Sequence, residues 1–216
     1  MIPFGEWLPD QSDFQNPGAT IATNVIPAAR GYRPFASLTE VSAAATNRLR
    51  GIYATKATDG TVTTFAGDQG KLYKLDNSDF SLASINTGYT MTSDMYWDFV
   101  RFGNEVIAAG SDSDVLQGFT IGTDSAFSAI SGAPAARHLA VIRDFVVTAN
   151  VTYGSATHRS RVRWSAINDA TSWTIGSNQA DFQDIPDAGH ITGLVGGEFG
   201  VVLMEKAIAR MQYVGS

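Results

Sequence analysis

From Gly51 onward the chain alternates short apolar runs with turn-forming residues. Gly51-Ile-Tyr-Ala-Thr-Lys-Ala predicts a strand and Asp59-Gly60 a hairpin turn. Residues 62–66 and 71–75 predict two more strands, separated by Gly67-Asp-Gln-Gly, and 80–85 closes the unit. The same grammar returns at Tyr96-Trp-Asp-Phe-Val-Arg-Phe, with a turn at Gly103-Asn104 and strands over 106–109, 115–121 and 127–130. A third unit opens at His138-Leu-Ala-Val-Ile and turns at Arg143-Asp144. It continues through 145–151, Arg161-Val-Arg-Trp-Ser-Ala and Trp173-Thr-Ile. In the fourth, a Pro/Asp/Gly turn after Phe182 leads to a strand ending at Leu194-Val195 and a reversal at Gly196-Gly197. Strands over 201–204 and 208–214 follow, joined by Glu205-Lys206.

Aligning the first hairpin of each unit makes Asp59, Gly103, Asp144 and Glu198 equivalent, roughly 40 to 55 residues apart. An apolar strand follows each: Val62-Thr-Thr-Phe, Val106-Ile-Ala-Ala, Val146-Val-Thr-Ala and Val201-Val-Leu-Met. A repeat of this length with three or four strands is the pattern of a β-propeller blade, whose apolar faces are buried only by stacking on the next. The expected fold class is therefore all-β: β-propeller-like repeats of short antiparallel meanders, about four blades with the last incomplete. The predicted blades span about 48–90, 91–136, 137–180 and 181–216. Four are few for a closed ring, so the expectation is part of a larger propeller or an open arc that something else completes.

Residues 1–47 break the pattern. Pro3, Pro9, Pro17, Pro27 and Pro34 are spread among glycines with almost no period-2 alternation. Proline donates no ladder hydrogen bond and biases the residue before it toward extended backbone. The segment reads as an ordered, extended arm, because its aromatics are unlike a disordered tail. Phe4, Trp7, Phe14, Tyr32 and Phe35 are its candidate subunit contacts.

Composition narrows the function. Of 216 residues 44% are hydrophobic and only 17% charged, with 21 glycines, which favours strands over helices. No apolar run is long enough for a membrane span, and the N-terminus has no basic-then-apolar leader pattern. There is no cysteine, hence no disulfide or thiolate metal site. A net charge of −6 suits a surface that nucleic acid passes rather than grips.

Most candidate chemistry lacks the required pattern. His138, His158 and His190 have no ligand spacing and read as surface or loop residues. Asp181, Asp184 and Asp187, like Asp112-Ser-Asp114 and Asp76-Asn-Ser-Asp79, lack the spacing of a calcium loop and read as turn formers. There is no G-x-S-x-G elbow and no phosphate-binding glycine loop. The expectation is a non-enzymatic protein with no cofactor and no metal. Asn168-Asp169, between Trp164 and Trp173, reads as a structural turn. Arg159, Arg161 and Arg163 alternate, so one strand face would carry all three: a solvated face, or a basic contact for a partner.

Phe4-Gly-Glu-Trp-Leu-Pro-Asp, with Asn16-Pro-Gly-Ala and Asn24-Val-Ile-Pro, resembles the N-terminal arm of bacteriophage and prophage tail proteins. Phe65-Ala-Gly-Asp with Lys71-Leu-Tyr, Arg163-Trp-Ser, Asp181-Phe-Gln-Asp-Ile-Pro-Asp and Gly196-Gly-Glu-Phe-Gly-Val-Val extend the likeness along the chain. The family is that of short-tailed phage tail hub and nozzle proteins, including packaged-DNA stabilisation protein and tail tubular protein B. The resemblance implies a virion tail subunit, assembled in the host bacterial cytoplasm, that forms a homo-oligomeric ring, usually a hexamer, below the portal and adaptor. Such a ring continues the DNA channel, retains the genome and releases it at infection. Its partners are adaptor or portal-proximal proteins and distal needle or fibre proteins, and DNA passes without tight binding. Members are generally longer than this chain, and no catalytic residue carries over. Asp59, Glu105, Asp144 and Glu198 are candidate acidic lumen or turn positions; a lumenal set would repel phosphates over about 8 Å at physiological salt. The alternatives are a propeller module binding a glycan or peptide, as in a receptor-binding protein, and a propeller hydrolase using Asp181, Asp184 and Asp187.

Overall fold

The computed structural model describes residues 5–28 and 31–215. They form two compact units, 1–41 and 42–216. Phe4, one of the expected arm contacts, lies outside the described residues.

The first unit is not one extended segment, because two asparagines close it locally. The Asn16 amide donates to the Leu8 carbonyl (2.8 Å) while its own oxygen accepts the Gly18 N–H (2.8 Å). That reversal brings Trp7 beside Ala19 in a parallel bridge. Asn24 adopts positive φ (56°), where its short polar side chain is tolerated, and opens a hairpin of β1 (Val25–Ala28) and β2 (Gly31–Pro34). Pro27 and Pro34 fall within this two-stranded ladder, which is all edge and so admits them.

The second unit is four antiparallel meanders in chain order. The first sheet is β3 (Gly51–Lys56), β4 (Val62–Gly67), β5 (Lys71–Leu75) and β6 (Leu82–Thr87). The second is β7 (Asp98–Phe102), β8 (Glu105–Ala109), β9 (Gln117–Thr120) and β10 (Ser128–Ala129). The third is β11 (Ala135–Ile142), β12 (Phe145–Tyr153), β13 (Ala156–Trp164) and β14 (Asp181–Asp184). The fourth is β15 (Ile191–Val195), β16 (Gly200–Met204) and β17 (Ile208–Met211). The substantial contacts between sheets join neighbours, chiefly through the first strands β3, β7, β11 and β15. This is an all-β, β-propeller-like array, and each sheet is a blade.

Two strand assignments differ from the sequence expectation. Asp181–Asp184 does not open the fourth blade; it pairs with β13 and is the outer strand of the third, with Arg161 opposite Asp184. Trp173-Thr-Ile, expected to be that strand, lies in the loop between β13 and β14. There Trp173 is buried and its Nε1 donates to the Ala170 carbonyl (2.8 Å). A tryptophan satisfied by its own loop stays as a plug and leaves the edge to Asp181–Asp184.

The core lies between blades. Phe65 and Leu72 of the first pack with Trp97, Phe99, Val106 and Phe119 of the second. Ile107 and Leu116 of the second meet Leu139, Val146 and Val151 of the third. Ala149 and Val162 of the third meet Ile191, Val202 and Met204 of the fourth. Side chains of two consecutive sheets thus share each cluster, so stacking brings apolar surface out of water, about 25 cal/mol per Å².

Candidate functional site

The leading ends of β7, β11 and β15 meet at one seam. The Leu139 N–H donates to Asp98 Oδ2 (2.9 Å), tying the second blade to the third. The Asn150 side chain donates to the Ile191 carbonyl (3.1 Å), tying the third to the fourth. Asn150 sits at positive φ (54°) where the β12–β13 register shifts, and that irregularity turns its amide toward the next blade. Around these ties lies a cleft of about 450 Å³ whose polar lining includes Asp94, Arg137, His138, Arg159, His190 and Glu205.

Charge in the cleft is arranged in pairs. Arg137 grips both carboxylate oxygens of Asp112 (2.9 and 2.7 Å) and also binds Asp94 (2.8 Å). These bonds, Asp112 first, raise the guanidinium pKa, while the Thr92 hydroxyl and then Arg137 hold Asp94 at about 2. Burial raises the Asp98 carboxyl against the backbone donors that lower it. Burial, and then Arg137, lower His138, so its imidazole is neutral at neutral pH. His138 is therefore not the surface or loop residue expected; it is half-buried on β11. The cleft presents hydrogen-bonding groups of both signs and suits recognition of a polar partner. Among the described residues no group of three His, Cys, Asp or Glu is placed to hold a metal ion.

The alternating arginines occupy three environments. Arg159 is half-buried and lines the seam cleft. Arg161 makes a two-bond pair with Asp184 (both 2.7 Å) and lies over Phe182 at 3.9 Å. Arg163 is only 2% exposed, so a basic face of all three is not what β13 presents. Alternation fixes a face of the strand, but here the loop after Trp164 and the outer strand cover that face unequally.

Asp59, Glu105, Asp144 and Glu198 all stand at the hairpin joining a blade's first two strands. Cross-blade contacts place these hairpins on one side of the array: Arg101 of β7 donates to the Lys56 carbonyl, and the Arg143 N–H donates to the Gly197 carbonyl (2.8 Å). Asp59 caps its turn by accepting the Thr61 N–H (2.9 Å), which holds its pKa down. Burial, then Asp169 and Asp124, push Glu105 up. Glu198 lies 3.5 Å from Arg143. Asp59, Asp144 and Glu198 are turn residues and Glu105 is the first residue of β8; the four stand on one rim and none lies in a first strand.

Asp181 and Asp184, three apart on β14, point to opposite faces; Asp184 is held below the usual carboxylate range by Arg161, and Asp187 is exposed in a 3-10 turn, Pro186–Ala188. Asp76 and Asp79 accept backbone N–H groups two residues on (2.8 and 2.9 Å), as turn formers do. In the first unit Trp7, Phe14 and Phe35 are exposed and Tyr32 is half-buried.

Sequence reasoning passed over Asp68 and Asp98. Asp68 is fully buried and accepts from the Gly70 and Lys71 N–H groups, the Tyr73 hydroxyl and the Asn47 amide. Its signal was present in Gly67-Asp-Gln-Gly followed by Tyr73, whereas Asp98 has none in the linear pattern because its partner is in the next blade.

No family model matches the chain, and no curated protein matches it. Among solved structures, the β-propeller domain of Myceliophteria thermophila Cps50 (Swd1) is similar at 9% identity and a TM-score of 0.42, covering 73% of this chain and 49% of that one. The chain thus spans about half the length of that domain. A crystal structure of BBS1N in complex with ARL6DN, soaked with lead, is similar at 13% identity and a TM-score of 0.34, covering 90% of this chain and 73% of that one. The blade description stands on this chain's own strand order and blade-to-blade packing.

Proposed function

We propose that this propeller-like protein is a structural virion subunit, a tail hub or nozzle component of a short-tailed phage or prophage. It would assemble through its fourth blade and its arm into a ring that continues the DNA channel. The observation that carries this reading is the face of the fourth blade. Ile208 on β17 is 74% exposed. Val195, Phe199 and Leu203 of the fourth blade are also exposed, and apolar residues gathered on one blade are a surface for another blade or chain. The sequence likeness to the phage proteins supplies the identity of that assembly. The acidic rim would face passing DNA without holding it.

A binding module for a glycan or peptide is the second reading, favoured by the seam cleft, where Arg159, His190 and Glu205 stand on two blades. Light scattering over a range of concentrations distinguishes them. A ring of about six copies that is lost on deleting residues 1–35, with the β-type circular dichroism kept, supports the hub reading. A monomer at every concentration sinks it for this chain.

A further inference from the structure

Among the described residues Arg163 has no acidic partner. The chain gives a two-bond carboxylate to Arg137 and to Arg161, each more exposed than Arg163. Arg163 is 2% exposed, and among the described residues its Nη2 donates to the carbonyls of Trp173 (2.7 Å) and Gly132 (3.2 Å). Its Nε and Nη1 are buried without a hydrogen-bond partner. Aromatic faces supply the remaining contact, Tyr153 at 3.9 Å and Trp173 at 5.8 Å. A buried guanidinium with open donors costs several kcal/mol unless an anion compensates it.

Beside it is a cavity of about 530 Å³. Gly132, Tyr153 and Trp173 line this cavity and are also the groups touching the guanidinium. Ser131, Thr171, Ser172 and Thr174 supply the rest of the polar lining. Arg163 itself does not line the cavity; Tyr153, 44% exposed at the end of β12, lines it and carries the guanidinium on its ring, so a ligand would reach Arg163 by turning Tyr153 aside.

We infer that this cavity is a binding site for a carboxylate-bearing sugar, with Arg163 as its buried cation, Tyr153 as its cover and the serine and threonine hydroxyls as its ring contacts. The sugar carboxylate meets the open donors of Arg163 and supplies the anion the chain withholds. The hydroxyl lining and an aromatic face suit a polyol ring better than an aliphatic acid. The site is independent of the assembly reading, since all its residues belong to the second and third blades and their connections.

Isothermal titration calorimetry with glucuronate, against glucose as the neutral counterpart, tests it on the full chain. Saturable glucuronate binding is expected, weakened at least about tenfold with glucose and in Arg163→Met. That variant removes an uncompensated charge while keeping an unbranched side chain, so its thermal unfolding is expected to remain cooperative. Tyr153→Ala, at a half-exposed position, is expected to bind glucuronate at least as tightly as the parent. The site is overturned if neither the parent nor Tyr153→Ala binds glucuronate. Equal binding of glucose, or full retention of glucuronate binding by Arg163→Met or by Arg163→Lys, also overturns it.

Discussion

The indole Nε1 of Trp97 donates to the Asp68 carbonyl at 2.7 Å, and this one bond fastens the second blade to the turn of the first. The ring can come so near because no side chain is in its way. A Cβ on Gly51 would lie 2.7 Å from the Trp97 Cβ, and one on Gly110 2.8 Å from its ring. At Gly67 the added atom would fall on the indole itself. Glycine is required at these positions for close approach, the bulk coming from the neighbouring blade at Gly51 and Gly67 and from the same blade at Gly110.

Trp97→Ala is expected to cost about 3–5 kcal/mol, the usual range for emptying a buried tryptophan site. Gly67→Ala is expected to destabilise as well, because the indole is anchored at Nε1 and by Tyr89 and Phe99 and has nowhere to move. Denaturant unfolding at neutral pH measures both; an unchanged midpoint in either would contradict the wedge.

Asp68→Asn is expected to cost about 1–3 kcal/mol at neutral pH, because an amide cannot accept the four donors now converging on the carboxylate. Burial raises this carboxyl, but the bonds from Gly70, Tyr73, Asn47 and Lys71 outweigh it and leave the pKa lowered. A lowered folded pKa stabilises fully above the ordinary carboxylate value, and that stability is lost as pH falls through the folded one. The gap between parent and variant in unfolding free energy should therefore narrow on acidification through that window.

Asp98 has the opposite sign. Burial raises its pKa, so the unfolded chain gives up the proton more readily and ionisation disfavours the fold. Asp98→Asn keeps an oxygen to accept the Leu139 N–H. The variant is expected to gain stability relative to the parent as pH rises from the ordinary carboxylate value through the raised one. Thermal midpoints across pH 3 to 8 read this, and a variant-minus-parent difference that stays flat or falls as pH rises would refute it.

The repeat was legible because blade strands announce themselves locally. Asp59-Gly60, Gly103-Asn104, Arg143-Asp144 and Gly196-Gly197 are turns in the chain as in the sequence, and the apolar strand after each is the second strand of its blade. The third blade's outer strand was not legible. Trp173-Thr-Ile has stronger strand chemistry than Asp181–Asp184, yet Trp173 is satisfied by its own loop while Asp184 has Arg161 opposite. Among the candidate residues, Asp59, Asp144 and Glu198 lie in turns, while Glu105 opens the strand that follows its turn. The arginines of β13 share one strand face, but it is covered unequally and is not a solvated basic face.

What the sequence determined by itself is the set of meanders, since turn residues and alternating apolar positions act within a few residues of one another. The tertiary structure decided everything that depends on a neighbouring blade. It buried Arg163 without an acid, gave Asp98 its elevated pKa, set Trp97 against three glycines and brought Asp94, Arg137 and His190 to one cleft. Those outcomes follow from desolvation and close packing between segments that the fold, not the local pattern, brings together.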